Sequence, residues 1–380
     1  MNRKNLVWLT VAAVVVIVLA FFVAQQRISE TRPAAGGGRM FDGLIDNVNS
    51  VSTIKVNNGK EGFTISRSEE NWGIVEKSGY PVQYKLVKEV ILGVAGLDLV
   101  AAKTKDPTRH NVLGLDVPGA VDAGGAVGLT LIDEKDTVLA DLLVGNTIRA
   151  GDPRRYVRRP NEDQTWLGSG GVDVGREPLD WVETILTQIR HDRIRRVEYT
   201  DSMGDRAVLE RQDRSGFKFT YLDIPDGMRS LPPSKINTIG GTLAFLNFKD
   251  VRKEVDFDFG GDTVIETIFT TWDGLVVQVS TVEADGQHWA KFDAKFDEAL
   301  TEPVDPPIGT NTSDDNAEEE IEDPHKAIRE EVKAISVRAI GWAYLLDQNK
   351  LSQLRRGSES FIEPDVPDEE EDAGEVVPDQ

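Results

Sequence analysis

The chain has 380 residues, 39% of them hydrophobic, and a formal net charge of -22. That charge argues against nucleic acid as a partner, because affinity for phosphates comes from Lys and Arg. Cysteine is absent, which excludes disulfides, thiolate metal sites, a cysteine nucleophile and a lipidated N-terminal cysteine.

The first element is an apolar run, Leu6 to Val23, with no charge and one hydroxyl. At about 1.5 Å per helical residue it covers about 27 Å, close to the hydrocarbon thickness of a bilayer. It predicts a cytoplasmic tip and a single membrane-spanning helix in segment 1–26. Arg3 and Lys4 precede it as in a secretory signal, but cleavage after Ala24 would place Phe22 where a small residue is required. An uncleaved signal anchor fits better. Arg27, Arg32 and Arg39 follow the run, so flanking charge does not set the orientation. A long C-terminal domain translocates largely regardless of its charge, which favours a periplasmic domain on a bacterial inner membrane.

A flexible connector, 27–40, leads into a first lobe at 41–189. A second lobe follows at 190–300, then an acidic linker at 301–325, a helix-strand-helix piece at 326–357 and an acidic tail at 358–380. The fold class is α+β, an N-terminal transmembrane helix followed by repeated lobes of antiparallel β-sheet packed with single helices. In the first copy of the repeat, Ser52 to Val56, Phe63 to Arg67 and Trp72 to Val75 read as strands. Pro81 then precedes a helix with Leu86, Val87, Val90, Ile91, Val94 and Ala95 inward. In the second copy the strands are Arg196 to Thr200, Ala207 to Arg211 and Phe217 to Tyr221. Pro232 and Pro233 precede its helix, which starts at Ser234 and turns Ile236, Ile239, Leu243 and Leu246 inward. Each helix runs into an extended stretch, Leu99 to Lys103 and Phe248 to Arg252.

Between the copies, Gly128 to Ile132, Val138 to Val144, Arg155 to Arg159 and Thr165 to Leu167 are short strand patterns. Pro178 opens a predicted helix with Leu179, Val182, Ile185, Leu186 and Ile189 inward. After the second copy, Val264 to Thr271, Leu275 to Val282 and Trp289 to Phe292 form a meander turning at Asp273-Gly274 and Asp285-Gly286. Beyond the linker come a helix around Ala327 to Val337, a strand at Trp342 to Leu346 and a short helix near Asn349 to Arg356. This piece is small for an independent fold, so it is expected to pair with a preceding sheet.

Seven phrases carry a family resemblance: NWGIVE (Asn71 to Glu76), LGLDVP (Leu113 to Pro118), RRYVRR (Arg154 to Arg159), IRHDRIRRV (Ile189 to Val197), TTWDGLVVQV (Thr270 to Val279), GQHWAKF (Gly286 to Phe292) and GWAYLL (Gly341 to Leu346). With the N-terminal anchor and in this order, they resemble domain-of-unknown-function family 4340, whose members are associated with gliding-motility-type ABC transporter systems. The resemblance implies an envelope-facing auxiliary subunit and supplies no catalytic residues. In the second copy Phe217 replaces the tryptophan, and the acidic linker looks like an addition.

The residues themselves offer little chemistry. His110, His191, His288 and His325 are scattered without metal-ligand spacing. Ser169, in LGSGG, is not in a nucleophile elbow. Neither Gly36 to Gly38 nor Gly168 to Gly171 is followed by the residues of a phosphate loop, so any ATP hydrolysis belongs to another subunit. Asp256, Asp258, Asp262 and Glu266 resemble a calcium loop, but Gly260 occupies a ligand place and Thr267 stands where a bidentate Glu is needed. No metal, cofactor or catalytic residue is therefore assigned.

The dense basic groups are Arg154, Arg155, Arg158 and Arg159, then Arg190, Arg193, Arg195 and Arg196. They are candidate interaction residues for an acidic polymer or the chain's own acidic tail. The competing reading, which is favoured, makes Arg155 to Arg159 an edge strand protected by charge. The leading functional expectation is a non-enzymatic envelope subunit whose lobes bind protein partners, with ABC permease or ATPase subunits as the partners implied. A tethered glycan-binding module using Trp166, Trp181, Trp272 and Trp289 is the second reading. A carboxylate-dependent hydrolase is the third.

Overall fold

The computed structural model describes residues 37–69, 71–119, 125–148, 153–301 and 323–365. The apolar run Leu6 to Val23 and most of the acidic linker and tail lie outside them. Among the described residues no helix is long and apolar enough to cross a membrane. The chain divides into two compact units, Met1–Val182 and Glu183–Gln380.

The first unit begins with β1 (Gly38–Arg39), β2 (Val51–Asn57), β3 (Phe63–Ser68), β4 (Asn71–Ile74) and β5 (Tyr80–Pro81). Helix α1 (Tyr84–Ala95) follows, then β6 (Asp98–Ala102), β7 (Val127–Asp133), β8 (Val138–Ile148), β9 (Arg154–Arg158) and β10 (Thr165–Ser169). All strands join one sheet in the order β1-β6-β10-β9-β8-β7-β2-β3-β4-β5. Alternation builds it: Ile54, Val56, Phe63, Ile65, Leu129 and Leu131 are buried, while Lys55 and the Thr residues between them point away. Helix α1 buries Val87, Val90, Ile91, Val94 and Ala95, and Leu86 is half-buried. Each large apolar side chain so buried stabilises by roughly 1.5–3 kcal/mol.

The second unit contains β11 (Ile185–Thr187), β12 (Ile194–Thr200), β13 (Arg206–Glu210), β14 (Thr220–Leu222), β15 (Met228–Ser230), α2 (Pro233–Ile236) and β16 (Leu246–Lys253). It continues through β17 (Ile265–Thr271), β18 (Leu275–Ala284), β19 (Gln287–Phe296), α3 (Lys326–Ala339), β20 (Trp342–Leu346), α4 (Gln348–Leu354) and β21 (Ile362–Pro364). The main sheet runs β11-β16-β20-β19-β18-β17-β12-β13-β14, and β15 pairs separately with β21. Every strand pair in both units is antiparallel. Adding ten to each label in the run β6-β10-β9-β8-β7-β2-β3-β4 of the first sheet gives the matching run of the second.

The turn at Asp285-Gly286 has both residues left-handed, at φ 54° and 72°, as a two-residue hairpin requires. It sets an uninterrupted register from Leu275↔Phe296 to Ala284↔Gln287. Strand β20 inserts between β16 and β19, so the C-terminal segment completes the sheet. Helix α4 is tied to that sheet by the Tyr199 hydroxyl, which donates to the Gln353 carbonyl, and by Thr267 Oγ1, which donates to the Leu354 carbonyl.

Several expectations are corrected. Pro178–Trp181 is a single 3-10 turn, not the start of a helix, and Ile185–Thr187 is strand β11. The Trp181 carbonyl accepts from the Gln83 N–H at 2.8 Å, Val182 is extended, and Ile185 and Thr187 pair with Asn247 and Leu246. Tertiary bonds thus outcompete a helical stripe in a β-branched segment. The helix from Ser234 is one short α-turn followed by a 3-10 turn, Asn237–Gly241. Gly240 and Gly241 weaken it, and Phe245 adopts a left-handed φ of 48°; Ile236, Ile239, Leu243 and Leu246 are nonetheless all fully buried. The strand expected at Phe217 to Tyr221 is reduced to Thr220–Leu222. Ser358 to Pro364, placed in the tail, is ordered: Phe361 is fully buried and β21 pairs with β15.

Candidate functional site

The arginines singled out by charge density occupy different surroundings. In the first unit, β9 lies between β8 and β10, so it is an interior strand and the edge-strand reading is wrong. Arg154 is exposed. Arg155 is ion-paired with Asp173. Arg158 is only 6% exposed and donates to the carbonyls of Leu115, Pro160 and Glu162 at 3.0–3.2 Å. Burial holds its pKa below the ordinary guanidinium value, against the opposing charges of Asp163 and Asp116. Arg159 pairs with Glu162 at 3.4 Å, donates to the Met40 carbonyl and lies over the Phe41 ring.

In the second unit, Arg193 donates to Asp273 at 3.0 Å and to both Glu331 oxygens at 3.0 and 2.8 Å. Burial opposes its charge, but hydrogen bonds and charge from Glu331 and Asp273 outweigh that and raise its pKa. Arg195 reaches Glu210 at 3.4 Å and lies over the Trp272 ring. Arg196 bridges Glu198 and Glu210, each at 3.0 Å, and Arg190 pairs with Asp192. These side chains therefore do not form one anion-binding cluster. Most are spent on carboxylates and carbonyls of their own unit.

Two further cations play the same part and were not singled out by charge density. Arg211, 2% exposed, donates to the carbonyls of His191, Asp192 and Ile194 at 3.1 Å, of Arg214 at 3.3 Å and of Gly216. Lys350 Nζ donates to the carbonyls of Gly241, Thr242 and Ala244 at 2.8–3.0 Å. For Arg211 a signal existed: Ala207, Leu209 and Arg211 share the inward parity of one strand. For Lys350 there was none.

Trp181, Trp272 and Trp289 are at most 2% exposed, and Trp166 is half-buried. The tryptophans proposed to hold a glycan thus lie mainly inside the units. The four histidines stay apart: His110 Nε2 contacts the Asp163 carbonyl at 3.0 Å, His191 stacks on Phe217, and His325 packs on Phe296. The calcium-like stretch is a turn in which Asp258 accepts from the Gly260 N–H, while Glu266 accepts from Gln278. Among the described residues no group of three or more His, Cys, Asp or Glu is placed to hold a metal ion.

The first unit carries a cleft of about 800 Å³ between α1 and the loop at Gly170 to Arg176. Its lining includes Leu86, Val90, Val174 and Trp181 together with Arg155 and Asp180. The Asp180 carboxylate accepts from the backbone N–H groups of Arg176 and Glu177 at 2.8 and 2.9 Å, so it serves as a cap. The same lining carries two further carboxylates, Glu89 and Asp173, the latter ion-paired with Arg155.

Fold and sites together define a two-unit, mainly antiparallel β-sheet protein with a few helices. Residues 72–259 match the family model of a domain of unknown function (DUF4340), which supports placing this segment in that family. The match takes in LGLDVP, RRYVRR and IRHDRIRRV and ends before TTWDGLVVQV. No curated protein and no solved structure matches the chain.

Proposed function

We propose that this chain is a non-enzymatic, membrane-anchored envelope protein, an auxiliary subunit of an ABC-type transport complex of the gliding-motility kind. It acts through protein–protein contacts on the periplasmic side of a bacterial inner membrane. One observation carries the reading: an apolar run long enough to span, Leu6 to Val23, precedes two β-sheet units whose prominent cations and tryptophans are mostly committed to internal contacts. The family match covers residues 72–259 and is to a domain of unknown function, so the transport role rests on the resemblance of the ordered phrases and on the tests that follow.

In-cell crosslinking followed by affinity purification is expected to recover an ABC permease or ATPase subunit with the intact chain. Reproducible recovery of neither, with the bait intact, refutes the transport reading. A reporter fused after Gln380 tests the topology separately: activity of a periplasm-dependent reporter is expected, and activity only of a cytoplasmic one reverses the orientation.

A further inference from the structure

Helix α1 carries Tyr84, Lys88 and Leu92 at i, i+4 and i+8, one stripe along the helix. Tyr84 and Leu92 are 65% and 42% exposed, although Val87, Val90 and Val94 on the opposite side are fully or almost fully buried. Beside the stripe is a hollow of about 120 Å³ whose apolar wall is Val48, Val51, Trp72 and Ile91 and whose polar side is Asn49, Arg67 and Lys88. Apolar cavities of about 150 Å³ hold one benzene-sized group, so this one suits a single aliphatic side chain.

The rim gives the hollow a sign. Arg67 and Lys88 both line it, and among the described residues the lining contains no acidic one, in a chain of net charge -22. Arg67 is partly neutralised by Glu134 at 2.5 Å and is held in place by the Asn49 carbonyl at 3.3 Å. Lys88 is exposed. An apolar socket bordered by cations favours an aliphatic side chain flanked by carboxylates, the pattern of a helix-in-groove contact. Charge would set the approach and the filled hollow the residence.

We propose that this socket docks an acidic amphipathic segment of a partner protein, with one aliphatic side chain in the hollow and carboxylates against Lys88 and Arg67. The proposal rests on the protein-contact reading above and names the surface that makes the contact.

The probe is a fluorescein-labelled synthetic helical peptide with leucines on one face and flanking glutamates, titrated by anisotropy against the full chain in detergent. Saturable binding is expected, weakened severalfold by Lys88→Glu, at least tenfold by Leu92→Asp, and reduced by added salt. Both substitutions fall on the outer side of α1, and circular dichroism verifies that each variant is folded. Lys235→Glu, in the other unit, is expected to leave affinity unchanged. Absence of binding, equal binding of the same peptide with lysines in place of glutamates, or indifference to both socket substitutions would overturn the proposal. So would a concentration-dependent dimer abolished by Leu92→Asp, which would make a second copy the occupant. Failure of the peptide with transporter subunits still recovered by crosslinking removes the socket alone; failure of recovery while the peptide binds removes the transport reading alone.

Discussion

Replacing Arg211 by Met tests how far buried cations organise these units. The guanidinium is 2% exposed and serves five backbone carbonyls, with Phe217 and Phe219 rings each 5.8 Å from it. Methionine retains an apolar stem but supplies no donor. Hydrogen bonds to charged groups contribute about 1.5–3 kcal/mol each, but five cannot simply be added, because burying the charge itself costs several kcal/mol. Leaving buried carbonyls without this donor costs about 1–3 kcal/mol each, partly offset because the charge no longer has to be buried, and Arg211→Met is expected to lose about 3–5 kcal/mol in all. Against a total of about 5–15 kcal/mol for a domain this is a large loss. With m of about 1–3 kcal/mol/M it lowers the urea midpoint by at least about 1 M. Arg211→Lys should fall between the two, since an ammonium has three donors at one point and no fork. Urea unfolding followed by fluorescence, with hydrogen exchange at residues 212–219, measures the effect. A loss below about 1 kcal/mol would refute the reasoning, because the carbonyls would then be served equally well by water.

Gly274→Ala should destabilise more than Gly286→Ala in thermal unfolding. Both glycines are left-handed, which costs roughly 1–2 kcal/mol for a side chain, but only at Gly274 would the new Cβ fall 2.6 Å from the Asp297 carbonyl oxygen, with nothing within 4 Å at Gly286. Lys350→Met removes the Nζ donor to three carbonyls, of which Gly241 keeps the Ala244 N–H at 3.3 Å, so faster exchange at residues 241–245 and a loss of about 2–4 kcal/mol are expected; unchanged exchange would contradict it. His288 should titrate below its ordinary value of 6.5, chiefly because of burial and then the Arg355 charge, with Glu283 opposing. The unfolded chain then takes up the proton first as pH falls. The contribution is therefore intact above about 6.5 and is lost as pH falls through the folded pKa. An NMR midpoint at or above 6.5 would contradict this.

Strands were legible where alternation and turn chemistry agreed. Val197, Tyr199, Ala207 and Leu209 alternate with polar residues, and they are all at most 1% exposed. Asp285-Gly286 announced its hairpin because few other residues adopt two successive left-handed conformations. The misread helices fail for a different reason. Leu179, Val182, Ile185, Leu186 and Ile189 fit a helical stripe, yet they also fit a turn followed by a strand, and the choice is made by Gln83 and β16, both distant in sequence. Between Ser234 and Leu246 the buried set was legible and the backbone was not, since several backbones can point the same four side chains inward.

The arginines show why charge density is a poor guide to a site. Arg154 and Arg158 belong to one phrase and one strand, but the first is exposed and the second is buried in a cage of carbonyls. They share one strand and one parity, so what separates them is tertiary: only the Arg158 end of β9 lies within reach of the Leu115, Pro160 and Glu162 carbonyls, which no local pattern encodes. A buried guanidinium without a carboxylate must find carbonyls that secondary structure has left unpaired, so Arg158 and Arg211 mark where loops are pinned. Once those cations are spent, the positive charge open to a partner is what remains on exposed elements. Lys88 is notable there less for its charge than for the apolar hollow beside it. Of the two, the hollow discriminates better, because exposed ion pairs are worth about 0–1 kcal/mol whereas a filled apolar socket contributes about 1.5–3 kcal/mol.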